Sequence, residues 1–101
     1  MIKTAFLVPL ADNGGQPFTP QDWQALHERL MRFGGFSRRD GVFGAWQYQG
    51  QVYEDQSREY TVALSLRQLS EWLEILEWVK ETFRQKAVYV EINGAPEILG
   101  V

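Results

Sequence analysis

Apolar and polar positions along the chain change their period in a definite order. Ile2, Thr4, Phe6, Val8 and Leu10 alternate with Lys3, Ala5, Leu7 and Pro9, which predicts a strand apolar on both sides and therefore central in a sheet. Trp23, Leu26, Leu30 and Phe33 then recur at helical spacing and define one buried helix face. Alternation returns twice. Val42, Gly44, Trp46 and Tyr48 oppose Phe43, Ala45 and Gln47, and later Tyr60, Val62 and Leu64 oppose Glu59, Thr61 and Ala63. Leu69, Trp72, Leu73, Leu76, Val79 and Phe83 mark a second helix with a wide apolar arc, and Val88, Val90 and Ile92 alternate with Ala87, Tyr89 and Glu91 in a last strand. The order is β-α-β-β-α-β, an α+β sandwich with both helices on one face of the sheet.

Local signals set the boundaries. Thr19-Pro20-Gln21-Asp22 starts the first helix, because Thr19 can accept from the Asp22 amide and Pro20 stands where no amide is needed. Gly34 ends it. Ser65 to Gln68 reads as a capping box before the second helix, with Leu64 and Leu69 as its staple. The second strand is expected over Val42 to Tyr48, followed by a turn at Gln49-Gly50-Gln51. The third runs from Val52 or later to Leu64, with a broken, polar middle. Asn93-Gly94 is a tight turn. Glu97 to Val101 is long enough for a short C-terminal strand, on this sheet or on a neighbouring subunit.

Composition narrows the function classes. A chain of 101 residues with 45% hydrophobic content suits one domain spanning 1–101,. The 14% aromatic share lets so short a chain bury substantial apolar area,. A formal charge of −3 lacks the positive field that phosphate-backbone binding needs, so no nucleic acid partner is expected,. Cysteine is absent, which removes disulfides and thiolate chemistry and makes the cytoplasm the expected compartment,. The run Ala5 to Leu10 is too short for a leader and contains Pro9, no stretch reaches membrane-span length, and the chain reads as complete from its first strand. His27 is the single histidine. With no second imidazole or thiolate, neither a zinc site nor a serine triad is expected, and no cofactor is implied.

Three constellations carry candidate chemistry. Gly34-Gly35-Phe36-Ser37-Arg38-Arg39-Asp40-Gly41 is glycine-rich and basic, but its glycines follow a helix and it lacks the lysine of a phosphate-binding loop. It reads as a turn whose Arg38 and Arg39, with Arg58 across the sheet, suit a small anionic metabolite. Tyr53-Glu54-Asp55-Gln56-Ser57-Arg58-Glu59 concentrates carboxylates in the hairpin; Glu54 and Asp55 point to opposite faces, and Asp55 with Arg58 is the better pair. On the second helix Trp78 stands among Glu71, Glu74, Glu77 and Glu81, away from the apolar stripe, with Ile75 at the border, and the two are expected to form an interface. The sheet face left by the helices places Tyr89 and Glu91 with Thr61, Ala63, Ala5 and Leu7, a mixture suited to burial by another subunit or to a cleft floor.

The order of elements resembles the ferredoxin-like sandwich, which implies a four-stranded antiparallel sheet of order 4-1-3-2. Within that class it is loosely similar to PII-like sensors, whose ligands sit between subunits near the hairpin loop. Phe33-Gly34-Gly35-Phe36-Ser37, Gly44-Ala45-Trp46, Gly50 and Asp55-Gln56-Ser57 resemble a pattern in small uncharacterised bacterial and phage proteins, and that likeness implies no activity. The expectation is a homo-oligomeric binding or regulatory module for a small anionic ligand at a subunit edge, using Arg38, Arg39, Asp55, Arg58, Tyr89 and Glu91. Two alternatives stand beside it. One is a small enzyme drawing on Tyr53, Asp55, Glu59, Tyr89 or Glu91 in an inter-subunit cleft; the other is an interaction module docking through Ile75 and Trp78.

Overall fold

In the computed structural model, which describes residues 1–100 apart from the side chains of Trp46 and Tyr48, the elements are β1 (Ile2–Pro9), α1 (Pro20–Leu30), β2 (Ser37–Tyr48), β3 (Gln51–Leu64), α2 (Leu69–Thr82), β4 (Ala87–Ile92) and β5 (Ala95–Gly100). The strands make one antiparallel sheet in the order β2-β3-β1-β4-β5. This is the expected 4-1-3-2 order with a fifth strand added outside β4. The C-terminal strand therefore belongs to this sheet, joined through a turn in which Asn93 and Gly94 both have positive φ,. Its last expected residue, Val101, and the face shared by Trp46 and Tyr48 lie outside the described residues.

Both helices cover the same side of the sheet. Phe6 and Val8 of β1, Tyr60, Val62 and Leu64 of β3, and Val88 and Val90 of β4 form one core with Trp23, Leu26 and Leu30 of α1 and Trp72, Leu76 and Val79 of α2. Phe6 stacks on Tyr60 at 5.3 Å between ring centroids and meets the edge of Trp72 at 6.4 Å. Such aromatic pairs add stability beyond the area they bury. Thr4 is buried in the same layer, and its hydroxyl donates to the Val62 carbonyl at 2.7 Å, so its polar atom is not stranded there,.

The caps form as the residues demand. Thr19 accepts from the Asp22 amide while the Asp22 carboxylate accepts from the Thr19 amide. The Ser65–Gln68 box also forms, but it opens a short 3-10 turn over Leu66–Gln68, and the α-helix proper begins at Leu69. Gly34 closes the first helical segment in the left-handed region, at φ 94°,.

Three expectations are corrected. First, β2 begins at Ser37, so Arg38 and Arg39 lie on a strand and not in a turn. The register between β2 and β3 shifts between Arg39 and Val42, and Gly41 takes φ 70° within that bulge. A bulge admits extra residues without ending the ladder, which is why turn-like composition coexists with pairing. Second, β3 is unbroken from Gln51 to Leu64. Its polar middle does not interrupt it, because backbone bonds to β2 are indifferent to side-chain polarity,.

Third, Ile75 and Trp78 do not form an exposed apolar patch. Ile75 is 5% exposed and belongs to the core, and Trp78 is half-buried with its ring edge against Phe83. Arg29 of α1 lays its guanidinium 3.8 Å from the Trp78 ring centroid. The two helices lie side by side, so the buried arc of α2 widens to include the flank facing α1, and an arginine covers the tryptophan.

Candidate functional site

Strand alternation divides the sequence-designated residues between the two sides of the sheet. Arg38 pairs with Tyr60 in the ladder, and Arg39 with Glu59. Tyr60 points into the helix-covered core. Arg38 therefore shares the helix side, while Arg39 turns to the open side. A single seat formed by Arg38, Arg39 and Arg58 does not exist.

On the helix side, two arginines converge on one carboxylate at the β2 edge. Arg38 reaches Asp40 through Nε at 3.0 Å and Nη2 at 3.2 Å, and Arg58 Nε lies 3.6 Å from the same Asp40 carboxylate. The Arg58 guanidinium also sits 4.1 Å from the Trp23 ring centroid, which fixes its plane,. Beside it, His27 Nε2 and the Tyr60 hydroxyl share a hydrogen bond of 2.8 Å, and the imidazole packs on Phe36. Burial lowers the His27 pKa, and the charges of Arg38 and Arg58 lower it further. Burial raises the Tyr60 phenol, with Arg58 pulling the other way,.

On the open side, adjacent strands line up a different set. The Tyr89 hydroxyl of β4 donates to Glu91 at 2.9 Å, and Glu91 lies opposite Ala5 of β1. Leu7 of β1 lies opposite Glu59 of β3, and Arg39 meets the Glu59 carboxylate at 3.4 Å. Glu59 is near enough to be felt at Tyr89, whose pKa is raised first by its hydrogen bond to Glu91 and further by the charges of Glu91 and Glu59. The β5 partners Pro96 and Ile98 stand opposite Glu91 and Tyr89. Tyr89, Pro96, Glu97 and Ile98 line an open depression of about 340 Å³.

Asp55 joins neither group. It lies opposite Gly44 in the outer part of the β2–β3 hairpin, where β3 has passed the end of its pairing with β1. The Tyr53 hydroxyl, in the same arm, donates to Gln51 at 2.9 Å.

Two contributors were not singled out from the sequence. Asp40 looked like a turn residue, and its role follows only from the bulge. The His27–Tyr60 bond joins residues far apart in the chain, although the spacing of Trp23 and His27 already placed both on one flank of α1. Among the described residues, no three His, Asp or Glu side chains gather in a way that could hold a metal ion. No helix among them is long and apolar enough to cross a membrane.

No family model and no curated protein matches the chain. Several solved structures do. A phage SAM lyase in its apo state superposes with a TM-score of 0.71 at 18% identity, covering 99% of this chain and 89% of that one. A phage SAM lyase in complex with S-methyl-5'-thioadenosine gives 0.66 at 16% identity over the same shares. The divalent cation tolerance protein CutA1 from Thermus thermophilus gives 0.58 at 17% identity, covering 100% of this chain and 82% of that one. These likenesses establish a common ferredoxin-like fold of the PII-like kind, with two helices and a five-stranded antiparallel sheet.

Proposed function

We propose that the open sheet face is a small-molecule site completed by a second copy of the chain, and that its ligand carries a cationic centre together with an acidic group, as SAM does. The observation behind this reading is the placement of Glu59, Tyr89 and Glu91 on one uncovered face, with Arg39 at its β2 end. Two carboxylates attract a sulfonium and repel a purely anionic ligand. Arg39 offers a fork for the carboxylate of the same molecule. The shared fold of a phage SAM lyase supports a ligand of this class.

The same groups suit an enzyme. In a β-elimination a base takes a proton from the carbon next to the one bonded to sulfur, the C–H pair becomes a carbon–carbon double bond, and the C–S pair leaves on a neutral thioether. Glu91, with one oxygen held by Tyr89, is placed to take that proton. Both groups are open to water in a single chain, where a carboxylate is a weak base, so a cover that excludes water is part of the proposal. A second copy is the natural cover. Leu7 and Ile98 lie on this face, Ile98 being 61% exposed, and the hairpin arm carries Phe43 and Val52 outward. A two-stranded arm with exposed apolar side chains is marginal in water until something packs on it.

Light scattering is expected to give a molar mass that is a multiple of 11.7 kDa. Calorimetric titration of the assembled protein with SAM should show binding, weakened at least about ten-fold by Glu91→Gln, whereas the neutral S-methyl-5'-thioadenosine should bind more weakly and be little affected by that substitution. Chromatography of the incubated mixture separates the roles: release of S-methyl-5'-thioadenosine marks an enzyme, and intact SAM marks a binding module. A well-folded wild-type protein that does not bind SAM overturns the proposal.

A further inference from the structure

The helix-side cluster at the β2 edge is not used by the open-face site. Its geometry is that of an anion seat already holding a carboxylate. Arg38 grips Asp40 through two nitrogens while Arg58 approaches the same carboxylate from β3. The Arg58 side chain is 22% exposed and rests on Trp23, so its position is set before any ligand arrives. Asp40, by contrast, is 56% exposed and is the member free to swing away. It falls between Arg39 and Val42, where β2 has no ladder partner on β3, and is followed by Gly41 at positive φ. Releasing its carboxylate breaks no strand pairing.

Charge favours an incoming anion. Arg38, Arg58 and Asp40 together leave one net positive charge, and the neighbouring imidazole of His27, with its pKa lowered, stays neutral at neutral pH,. His27 and Phe36, both half-buried, supply aromatic surface beside the guanidinium groups for an organic portion.

We propose that Arg38 and Arg58 form a binding seat for the oxyanion of a small molecule, a carboxylate or a phosphate, and that Asp40 occupies it as an internal counterion which the ligand displaces. The seat lies on the opposite side of the sheet from Glu91 and is independent of the open-face reading. Displacement has a specific consequence. Removing the Asp40 charge eliminates the competitor, so Asp40→Asn should bind more tightly than the wild type, whereas a site that used Asp40 to hold its ligand would weaken.

The test titrates ¹⁵N-labelled protein with inorganic phosphate and, in a parallel arm, with acetate, at constant ionic strength, following the arginine Nε resonances. We expect saturable shifts of Arg38 and Arg58 in at least one arm, and that arm identifies the oxyanion class. Asp40→Asn should tighten binding at least ten-fold. Arg38→Gln, at the more exposed position, should abolish it, and Arg67→Gln, an equal loss of charge in the turn before α2, should leave it unchanged. Arg58→Lys, which keeps the charge but loses the planar fork, provides a second disabling variant in case Arg38→Gln perturbs folding. The proposal is overturned if neither anion binds Asp40→Asn, if that variant binds no more tightly than the wild type, or if Arg38→Gln and Arg67→Gln behave alike.

Discussion

Phe6 and Leu7 are adjacent on the central strand, yet their surroundings have little in common. Phe6 points into the layer under the helices, fully buried, stacked on Tyr60 and edged by Trp72. Leu7 points the other way, into a row shared with Glu59 and, on the next strand, Tyr89 and Glu91. One side is covered with aromatic and aliphatic groups from two helices. The other keeps small residues at its centre and hydrogen-bonded carboxylates around them. The pleat thus separates the packed core from the open face: changes in the core under the helices should alter folding, and changes on the open face should alter binding of the ligand proposed for it.

The most severe test truncates each of the two neighbours. Phe6→Ala should cost about 3–5 kcal/mol, the range for a fully buried aromatic, read from the urea midpoint. Leu7→Ala should cost well under half of that when the single chain is measured at high dilution. Equal losses would mean that the open face is as tightly covered as the helix face, and the division would fail.

Next in size is the effect of polar substitutions on the open face. Glu91→Gln and Tyr89→Phe should leave the unfolding free energy within about 0.5 kcal/mol of the wild type while weakening ligand binding. A large change in stability with unchanged binding would reverse the assignment of this face.

A pH series probes the helix side. His27 is held below its ordinary value of 6.5, first by burial and then by Arg38 and Arg58. The unfolded chain thus takes up this proton more readily than the folded one, and stability present above pH 6.5 should decline as the pH falls below it,. His27→Gln should flatten that decline in urea titrations at successive pH values. A His27→Gln protein with the same slope as the wild type would show that other groups produce it. The smallest effect is expected at Phe43→Ser in the hairpin arm, where stability should move by less than about 0.5 kcal/mol, while light scattering should show weaker assembly.

Much of the fold could be read from short-range chemistry. Thr19 announced its N-cap, Ser65 its capping box, Asn93-Gly94 its turn, and the alternation about Phe6 and Val90 the strands that carry them. These features depend on residues close in sequence, whose preferences are expressed wherever the chain goes. The errors fell where distant partners intervene. Ser37 to Arg39 had loop composition and became strand because Glu59, Tyr60 and Thr61 were available to pair with them. Trp78 looked exposed on its own helix and was covered by Arg29 from the other.

The candidate site was only half legible for the same reason. Tyr89 and Glu91 were placed on the open face by counting alternation along one strand, the same count put Glu59 with Thr61 and Ala63 on that side, and the structure adds Arg39 from β2. Arg38, Arg39 and Arg58 looked like one basic group. Once β2 extends back to Ser37, alternation sends Arg39 to the face opposite Arg38.

By itself, then, the order of hydrophobic periods determined the kind of sandwich, its helix caps and its tight turns, since each of these rests on the geometry of a few consecutive residues. The side of the sheet that Arg38 and Arg39 each occupy, the bulge that carries Asp40 to two arginines, and the half-buried tryptophan covered by an arginine of the other helix were settled only in the tertiary structure. They depend on cross-strand register and helix neighbours, and a strand register displaced by one residue would turn its side chains to the other face.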